Sequence, residues 1–271
     1  MSKMETSNLT IETLKAMFAE NKRFDGRKLL DHRNFEISYD VSNKAEGSAR
    51  IKLGKTDVVV GIKLEVGAPY PDSRDKGNLM VSGDLLLLAS PRFEMGPPNF
   101  NAIELPRLVD RAIRESGMLD LSKLVIKEGE KVWTICIDVY PINDDGNLIG
   151  AASIAAIAAL KSTIIPELDE NMRPDYSKKS KKKLVLSDEI APISFSFFKL
   201  GDSIILDPTR EEEEACEARV TFGISMREGE HVLNSCQKIG ELTFSMEELN
   251  KMMDILPKKF DEVNEKLKKF L

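Results

Sequence analysis

The run LIGAASIAAIAALKSTII, Leu148 to Ile165, constrains this chain more than any other segment. It carries no charge before Lys161 and is apolar whichever way it is projected onto a helix. A surface helix shows one apolar stripe, whereas a helix apolar all round has no face to offer water and must be buried. Its uncharged core, Ile149 to Leu160, is twelve residues long and includes Ser153. A membrane-spanning helix needs about 20 apolar residues, so this segment belongs in a protein core and no membrane is expected. The 271 residues are enough for one large domain or two small ones, and 42% hydrophobic with 31% charged residues is the composition of a soluble globular protein.

Strand patterns precede and follow this helix. Phe35 to Val41 alternates apolar and polar residues, and ARIKLGKTDVVVGIKLEV gives two strands joined at Gly54-Lys55-Thr56. NLMVSGDLLLLAS predicts a further strand, and a helix follows around Ile103 to Ser116 with Gly117 as its cap. KVWTICIDVYPI is a strand and NDDGN a turn. PELDENMRPDYSKKSKKKL then shifts to proline and charge, as a solvated linker does, although its cluster Lys178 to Lys183 also suits RNA. Strands resume with PISFSFFKL, SIILD, RVTFGISM and HVLNSCQKI. Ser245 and Glu248 form a capping box for a last helix, which Pro257 kinks or splits. Strands followed by a helix, twice, favour α+β over a doubly wound sheet. The expected boundaries are an N-terminal helix and extension (1–30), a first subdomain (31–165), a charged linker (166–190) and a second subdomain with C-terminal helices (191–271).

Three widely spaced cysteines, Cys136, Cys216 and Cys236, and only two histidines argue against a zinc or disulfide framework and suit a reducing, cytoplasmic setting. The N-terminus lacks the pattern of a signal peptide. A net charge of −6 excludes a chain that coats nucleic acid by charge alone, so any RNA contact needs a local basic stripe. IELPRLVDRAIRE supplies one. Arg107, Arg111 and Arg114 fall within about 60° of one another on a helix, opposite Leu105, Leu108, Val109, Ala112 and Ile113. Pro106 fits as a first-turn proline or a local distortion. Guanidinium groups bind phosphate through a planar fork, but the same stripe also serves as a solvated face making salt bridges. The loop YPDSRDKGN adds Arg74 and Lys76.

Taken in order, several segments resemble the RNase PH family. RFDGRKLLDHRNFEI is similar to its Arg-x-Asp-Gly-Arg opening, and GSARIKLGKTDVVVGIKLEV to its Gly-Ser-Ala, Gly-x-Thr hairpin. GNLMVSGDLLLLASPRFEMGPPNFNAIELPRLVDRAIRE, INDDGNLIGAASIAAIAAL and FFKLGDSIILDPTREEEEACEA resemble the branch formed by the archaeal exosome ring subunits that lack catalysis. The likeness covers about residues 20 to 255. It implies an RNase PH-like fold with a ribosomal protein S5 domain 2-like core, in two similar subdomains of mixed sheets packed with helices. It also implies a hetero-hexameric ring of three heterodimers, in which this chain alternates with a catalytic RNase PH-type subunit. RNA-binding cap proteins would sit on the ring, and RNA would be degraded from its 3′ end by phosphate. In such rings the non-catalytic subunit lends arginines of this helix to the RNA path, at positions matching Arg107 and Arg111. Arg114 and Arg74 join them as expected RNA contacts.

The same resemblance bears on DPTREEEEACEAR, Asp207 to Arg219. Active subunits carry a Glu-Asp pair here and a second Asp six residues after the first, as oxygen ligands for a divalent ion or as acid near the scissile phosphate. Those two Asp positions correspond to Glu213 and Arg219. An arginine cannot ligate a cation. The family's phosphate loop, Gly-Thr-Ser or Gly-Thr-Ala, reads SCQKIGE here (Ser235 to Glu241), without the glycine-hydroxyl pair and with Lys238 as the only cation. The glutamate run is therefore expected as a loop or strand entry, with no catalytic residue, no metal and no cofactor. Two alternatives remain open at this stage: a self-sufficient phosphorolytic 3′-5′ exoribonuclease using Glu213, and an RNA-binding or assembly module without a role in decay.

Overall fold

The computed structural model describes residues 6–187 and 190–271, with the backbone alone at 178, 179 and 181. Helix α1 (Asn8–Ala19) opens on Ser7, whose Oγ accepts from the Thr10 amide at 3.1 Å. Strands β1 (Phe35–Tyr39), β2 (Gly47–Leu53), β3 (Thr56–Gly67) and β4 (Asn78–Gly83) lead to α2 (Phe100–Ser116), β5 (Val125–Lys127) and β6 (Lys131–Asn143). They form one sheet in the order β1-β2-β3-β6-β4, with β5 paired to β6 and β4–β6 as its parallel pair. After α3 (Leu148–Ser162), β7 (Ile164–Leu168) and β8 (Pro174–Lys183) pair antiparallel. A second, antiparallel sheet, β10-β9-β11-β12, is built from β9 (Ile193–Leu200), β10 (Ser203–Leu206), β11 (Ala218–Arg227) and β12 (Glu230–Gly240). The helix α4 (Arg210–Ala215) precedes β11, and α5 (Met246–Lys268) follows β12.

The helix that is apolar all round sits where it must. Every residue of α3 from Ile149 to Leu160 is buried, and the helix packs on β1, β2, β3 and β6 of one sheet and on β9 of the other. Both sheets therefore contribute to one hydrophobic core, in which Ile51, Ile62 and Ile135 meet Phe195 and Phe197. The α+β architecture, with two sheets packed by helices, stands as expected. Among the described residues no helix is long and apolar enough to cross a membrane.

Four local expectations need correction. The strand beginning at Asn78 ends at Gly83, which faces Val139 of β6, rather than running to Ser90. The segment 166–190 is not an open linker throughout, because β7 and β8 pair across it; the side chains of Lys178, Lys179 and Lys181 in its lysine cluster lie outside the described residues. Pro257 does not split the last helix: α5 runs through it, and the hydrogen bond it forfeits falls on the turn of the exposed Met253. The glutamate run is neither loop nor strand entry but α4, opened by a capping box between Thr209 and Glu212.

A buried polar joint holds the N-terminal extension, α3 and α4 together. Asp207 is fully buried, with its backbone in the left-handed region at φ 52°. Its Oδ2 accepts from Arg33 N at 2.7 Å, Arg33 Nε at 3.0 Å and Arg27 Nη1 at 3.0 Å. Its Oδ1 accepts from Arg33 Nη2 at 2.8 Å and from Asn147 Nδ2 at 2.7 Å. Asn147 also caps α3, accepting from the Gly150 amide at 3.2 Å. Arg23 donates through both Nε and Nη2 to the Glu212 carboxylate, and to the carbonyls of Leu206 and Asp207 at 3.0 and 2.8 Å. Gly146 is required beside this joint: its φ is +83°, and a Cβ there would lie 2.5 Å from the Pro208 carbonyl oxygen.

Burial alone would raise the Asp207 carboxyl, but the nearby His32 ring and the charge and hydrogen bonds of Arg33 hold it far below the usual carboxylate range. Removing that charge leaves the buried Arg33 with only the Asp145 carboxylate, at 3.4 Å, and Arg27 with Asp25. Asp207→Asn is expected to cost about 3–5 kcal/mol of stability, the usual penalty for breaking a buried pair from one side. The pH dependence has a definite sign, because the folded pKa lies below the unfolded one. The Asp207 contribution is fully present above an unfolded pKa of about 3.9 and is lost as pH falls from there toward the folded value. Unfolding curves across that range should show an acid limb in the wild type that is weaker in Asp207→Asn; equal stability and equal acid limbs would contradict this role.

Candidate nucleic-acid interface

Helix α2 begins three residues earlier than the apolar periodicity suggests. Asn99 caps it, its Oδ1 accepting from the Ala102 amide at 3.0 Å, and Gly117 ends it in the left-handed conformation at φ 73°. Pro106 is therefore the seventh helical residue and not a first-turn proline; it lies on the buried face together with Glu104. Leu105, Leu108, Val109, Ala112 and Ile113 complete that face, while Arg107, Arg111 and Arg114 are exposed on the other.

The three arginines do not share one environment. Arg107 and Arg111 form one wall of a groove of about 390 Å³, whose opposite wall is Asn234, Ser235, Cys236 and Gln237 of β12, with Glu115 also lining it. Arg114 is drawn aside: it pairs with Asp110 at 2.7 Å and donates to the Leu79 carbonyl at 3.0 Å. Arg74 is exposed in the loop before β4, its carbonyl accepting from the Gly129 amide at 3.3 Å, and it does not line the groove. The groove thus unites two of the four expected contacts with the polar row of β12. Sequence reasoning missed that row, although the alternation of HVLNSCQKI placed those residues on a strand; only the packing of α2 against β12 brings the two walls together.

The four glutamates of α4 point to four different surroundings. Glu211 is exposed, Glu212 is the buried partner of Arg23, and Glu214 accepts from Thr6 Oγ1 at 2.7 Å. Glu213 turns inward, accepting from the Asn147 amide at 2.8 Å, and lines a cavity of about 50 Å³ with Arg92, Arg219, Glu104 and Phe198. Burial pushes the Glu213 carboxyl up, and the nearby Arg92 only partly offsets this. Arg92 is itself paired with Asp144. Arg219 meets Glu104 at 2.6 Å and lies over the Phe198 ring at 5.8 Å from its centroid.

This donor set does not fit a divalent cation. Hard cations take several oxygen ligands, whereas the two positions at issue hold one carboxylate, Glu213, and one guanidinium, Arg219, which cannot ligate a cation. Among the described residues no group of three or more His, Cys, Asp or Glu is arranged to hold a metal ion. The counterpart of the phosphate loop is likewise not a cradle. Ser235 to Gly240 is extended strand paired with β11, and the Lys238 ammonium donates to the Gly240 carbonyl of its own strand.

The raised Glu213 pKa carries a stability consequence opposite to that of Asp207. Its contribution is fully present below the unfolded pKa of about 4.3 and is lost as pH rises through the folded value. Glu213→Gln should remove that decline, so the variant gains on the wild type as pH rises from about 4.3 toward neutrality. Parallel stability-versus-pH profiles for the two proteins would contradict its inward placement beside Arg92.

The chain is similar to known proteins along nearly its whole length. Residues 31–166 match the first domain, and residues 191–255 the second domain, of the RNase PH 3′ exoribonuclease family. The exosome complex component Rrp42 of Methanocella arvoryzae is 43% identical over 248 residues, 92% of this chain and 91% of that protein. Its namesake from Thermococcus kodakarensis is 42% identical over 270 residues, 99% of this chain and 98% of that protein. A chain of the Archaeoglobus fulgidus exosome, solved with RNA bound to the active site, superposes with a TM-score of 0.83 at 38% identity, covering 93% of this chain and 98% of that one. With both family domains matched in order and relatives of this identity along nearly its whole length, the chain belongs to the RNase PH 3′ exoribonuclease family, in the branch of the archaeal exosome components named Rrp42.

Proposed function

We propose that this chain is the non-catalytic, RNA-contacting subunit of an archaeal exosome ring, working in 3′-to-5′ phosphorolytic RNA degradation beside a catalytic RNase PH-type partner. The observation that carries this reading is the Arg219–Glu104 pair. Arg219 stands at the position matching the second carboxylate of an active subunit. Its Nη2 forms an ion pair with Glu104 at 2.6 Å, while Nε and Nη2 lack a hydrogen-bond partner among the described residues. The groove beside it offers two exposed guanidinium groups, Arg107 and Arg111, with amide and hydroxyl groups opposite, a surface suited to a phosphate backbone. The relatives are exosome components by name, and one similar structure is an exosome holding RNA. In this reading three copies alternate with three catalytic subunits, RNA-binding cap proteins complete the assembly, and the site of action is the cytoplasm. The three cysteines, all free thiols, suit a reducing compartment.

Assayed alone with RNA, phosphate and magnesium or manganese, the chain should release no nucleoside diphosphate, whereas the ring reconstituted with its catalytic partner should. Release by the isolated chain would instead support a self-sufficient exoribonuclease built on Glu213. Each well-formed charge-assisted phosphate contact is worth about 1.5–3 kcal/mol, or roughly ten- to a hundredfold in affinity. Replacing both Arg107 and Arg111 by Ala should weaken RNA binding by the assembled ring about equally for all sequences and flatten its salt dependence. Wild-type affinity in that double variant would reduce the stripe to a solvated helix face. Dissociation of the ring would make the two arginines interface residues.

A further inference from the structure

Arg219 does more than fill the place of a lost carboxylate. Its Nη2 lies 2.6 Å from Glu104 Oε1, and the same oxygen accepts from Gln237 Nε2 at 2.9 Å. Glu104 sits on α2, one turn before Arg107; Arg219 is on β11 and Gln237 on β12. These two strands are neighbours, Arg219 facing Ile239 and Thr221 facing Gln237 in the register. One buried carboxylate oxygen thus ties the arginine helix to both strands beneath it, and Gln237 is itself part of the groove wall. Glu104 is 5% exposed and Arg219 9%, so neither charge can turn to water as a substitute partner. At the C-terminal end of α2 the directional tie is Arg114 to the Leu79 carbonyl at 3.0 Å. Nearer the groove the buried face contributes apolar contacts through Leu105, Leu108, Val109, Ala112 and Ile113, and the Glu104 network is the directional contact there.

We propose that Arg219 is a positioning residue for the RNA groove: through Glu104 and Gln237 it sets the placement of α2 over β11 and β12 at which Arg107 and Arg111 meet phosphate. This rests on the RNA-contacting role proposed above. In this chain the arginine that displaced a metal-ligand position serves substrate binding instead. Restoring an acidic residue there sets a second carboxylate against Glu104 and releases the helix.

The test uses the ring reconstituted with its catalytic partner. RNA affinity is measured across a salt series for wild type, Arg219→Asp, Arg107→Ala with Arg111→Ala, the combination of all three, and the charge swap Arg219→Glu with Glu104→Arg. Displacing the helix should cost the equivalent of at least one phosphate contact, so Arg219→Asp is expected to weaken binding about tenfold. It should also lower the salt slope by about 0.7 for each phosphate that is no longer neutralised. The charge swap should recover much of both. In the ring that already lacks Arg107 and Arg111, Arg219→Asp should add little, because residues acting through one another are not additive. If Arg219→Asp rings fail to assemble, Arg219→Gln, which keeps a donor toward Glu104 without the charge, is judged by the same slope and additivity criteria. Wild-type affinity in the Arg219 variant, or an equal weakening with and without Arg107 and Arg111, overturns the proposal. If the Arg107 and Arg111 pair itself proves neutral, it is the RNA-contacting role that fails.

Discussion

The carboxylate of Asp207 has no access to water, yet it accepts five hydrogen bonds from three side chains and one backbone amide. An unpaired buried carboxylate is costly, so the position persists only because Arg27, Arg33 and Asn147 converge on it. Those residues come from the segment between α1 and β1 and from the cap of the buried helix α3. The joint thereby fixes where α3 enters the core between the two sheets and where the chain leaves β10 to form α4. The glycine at 146 and the left-handed backbone at 207 are the local conditions that allow two loops to approach this closely.

From that joint the electrostatics of the neighbouring cavity follow. Glu213 enters it from α4, facing Arg92 and Arg219, each of which already has a carboxylate partner in Asp144 or Glu104. With both guanidinium groups facing a carboxylate, the cavity is a cluster of ion pairs rather than a set of converging carboxylates. The exposed positive charge lies instead on the outer face of α2, at Arg107 and Arg111. The acidic run is thus structural: Glu212 locks the N-terminal extension through Arg23, and Glu214 receives Thr6.

Much of this is legible in the residues. The all-round apolar character of Ile149 to Leu160 requires burial, and the alternations from Phe35 onward give the strands of both sheets. The spacing of Arg107, Arg111 and Arg114 places them on one helix face, opposite the buried one. The joints made over long sequence separations cannot be read in this way. Arg23 and Glu212 are 189 positions apart, and Arg33 and Asp207 are 174; no spacing rule links them. The withdrawal of Arg114 from the groove depends on Asp110 and on the Leu79 carbonyl, the second of which is a tertiary contact. The helix α4 is a different case. Thr209 and Glu212 carry the capping-box signature in plain view, but likeness to a catalytic segment draws attention to the chemistry of the run rather than to its helix start.

In the proposed role RNA occupies the groove between α2 and β12 and not the cavity beside Glu213. Photo-crosslinking of thiouridine-substituted RNA to the reconstituted ring, followed by peptide mapping, locates the nucleic acid on this chain. Crosslinks should fall within 100–116 and 230–240 and should disappear when Arg107 and Arg111 are replaced by Ala. Crosslinks concentrated within 207–219 and unaffected by those substitutions would place RNA in the acidic cavity and contradict the assignment.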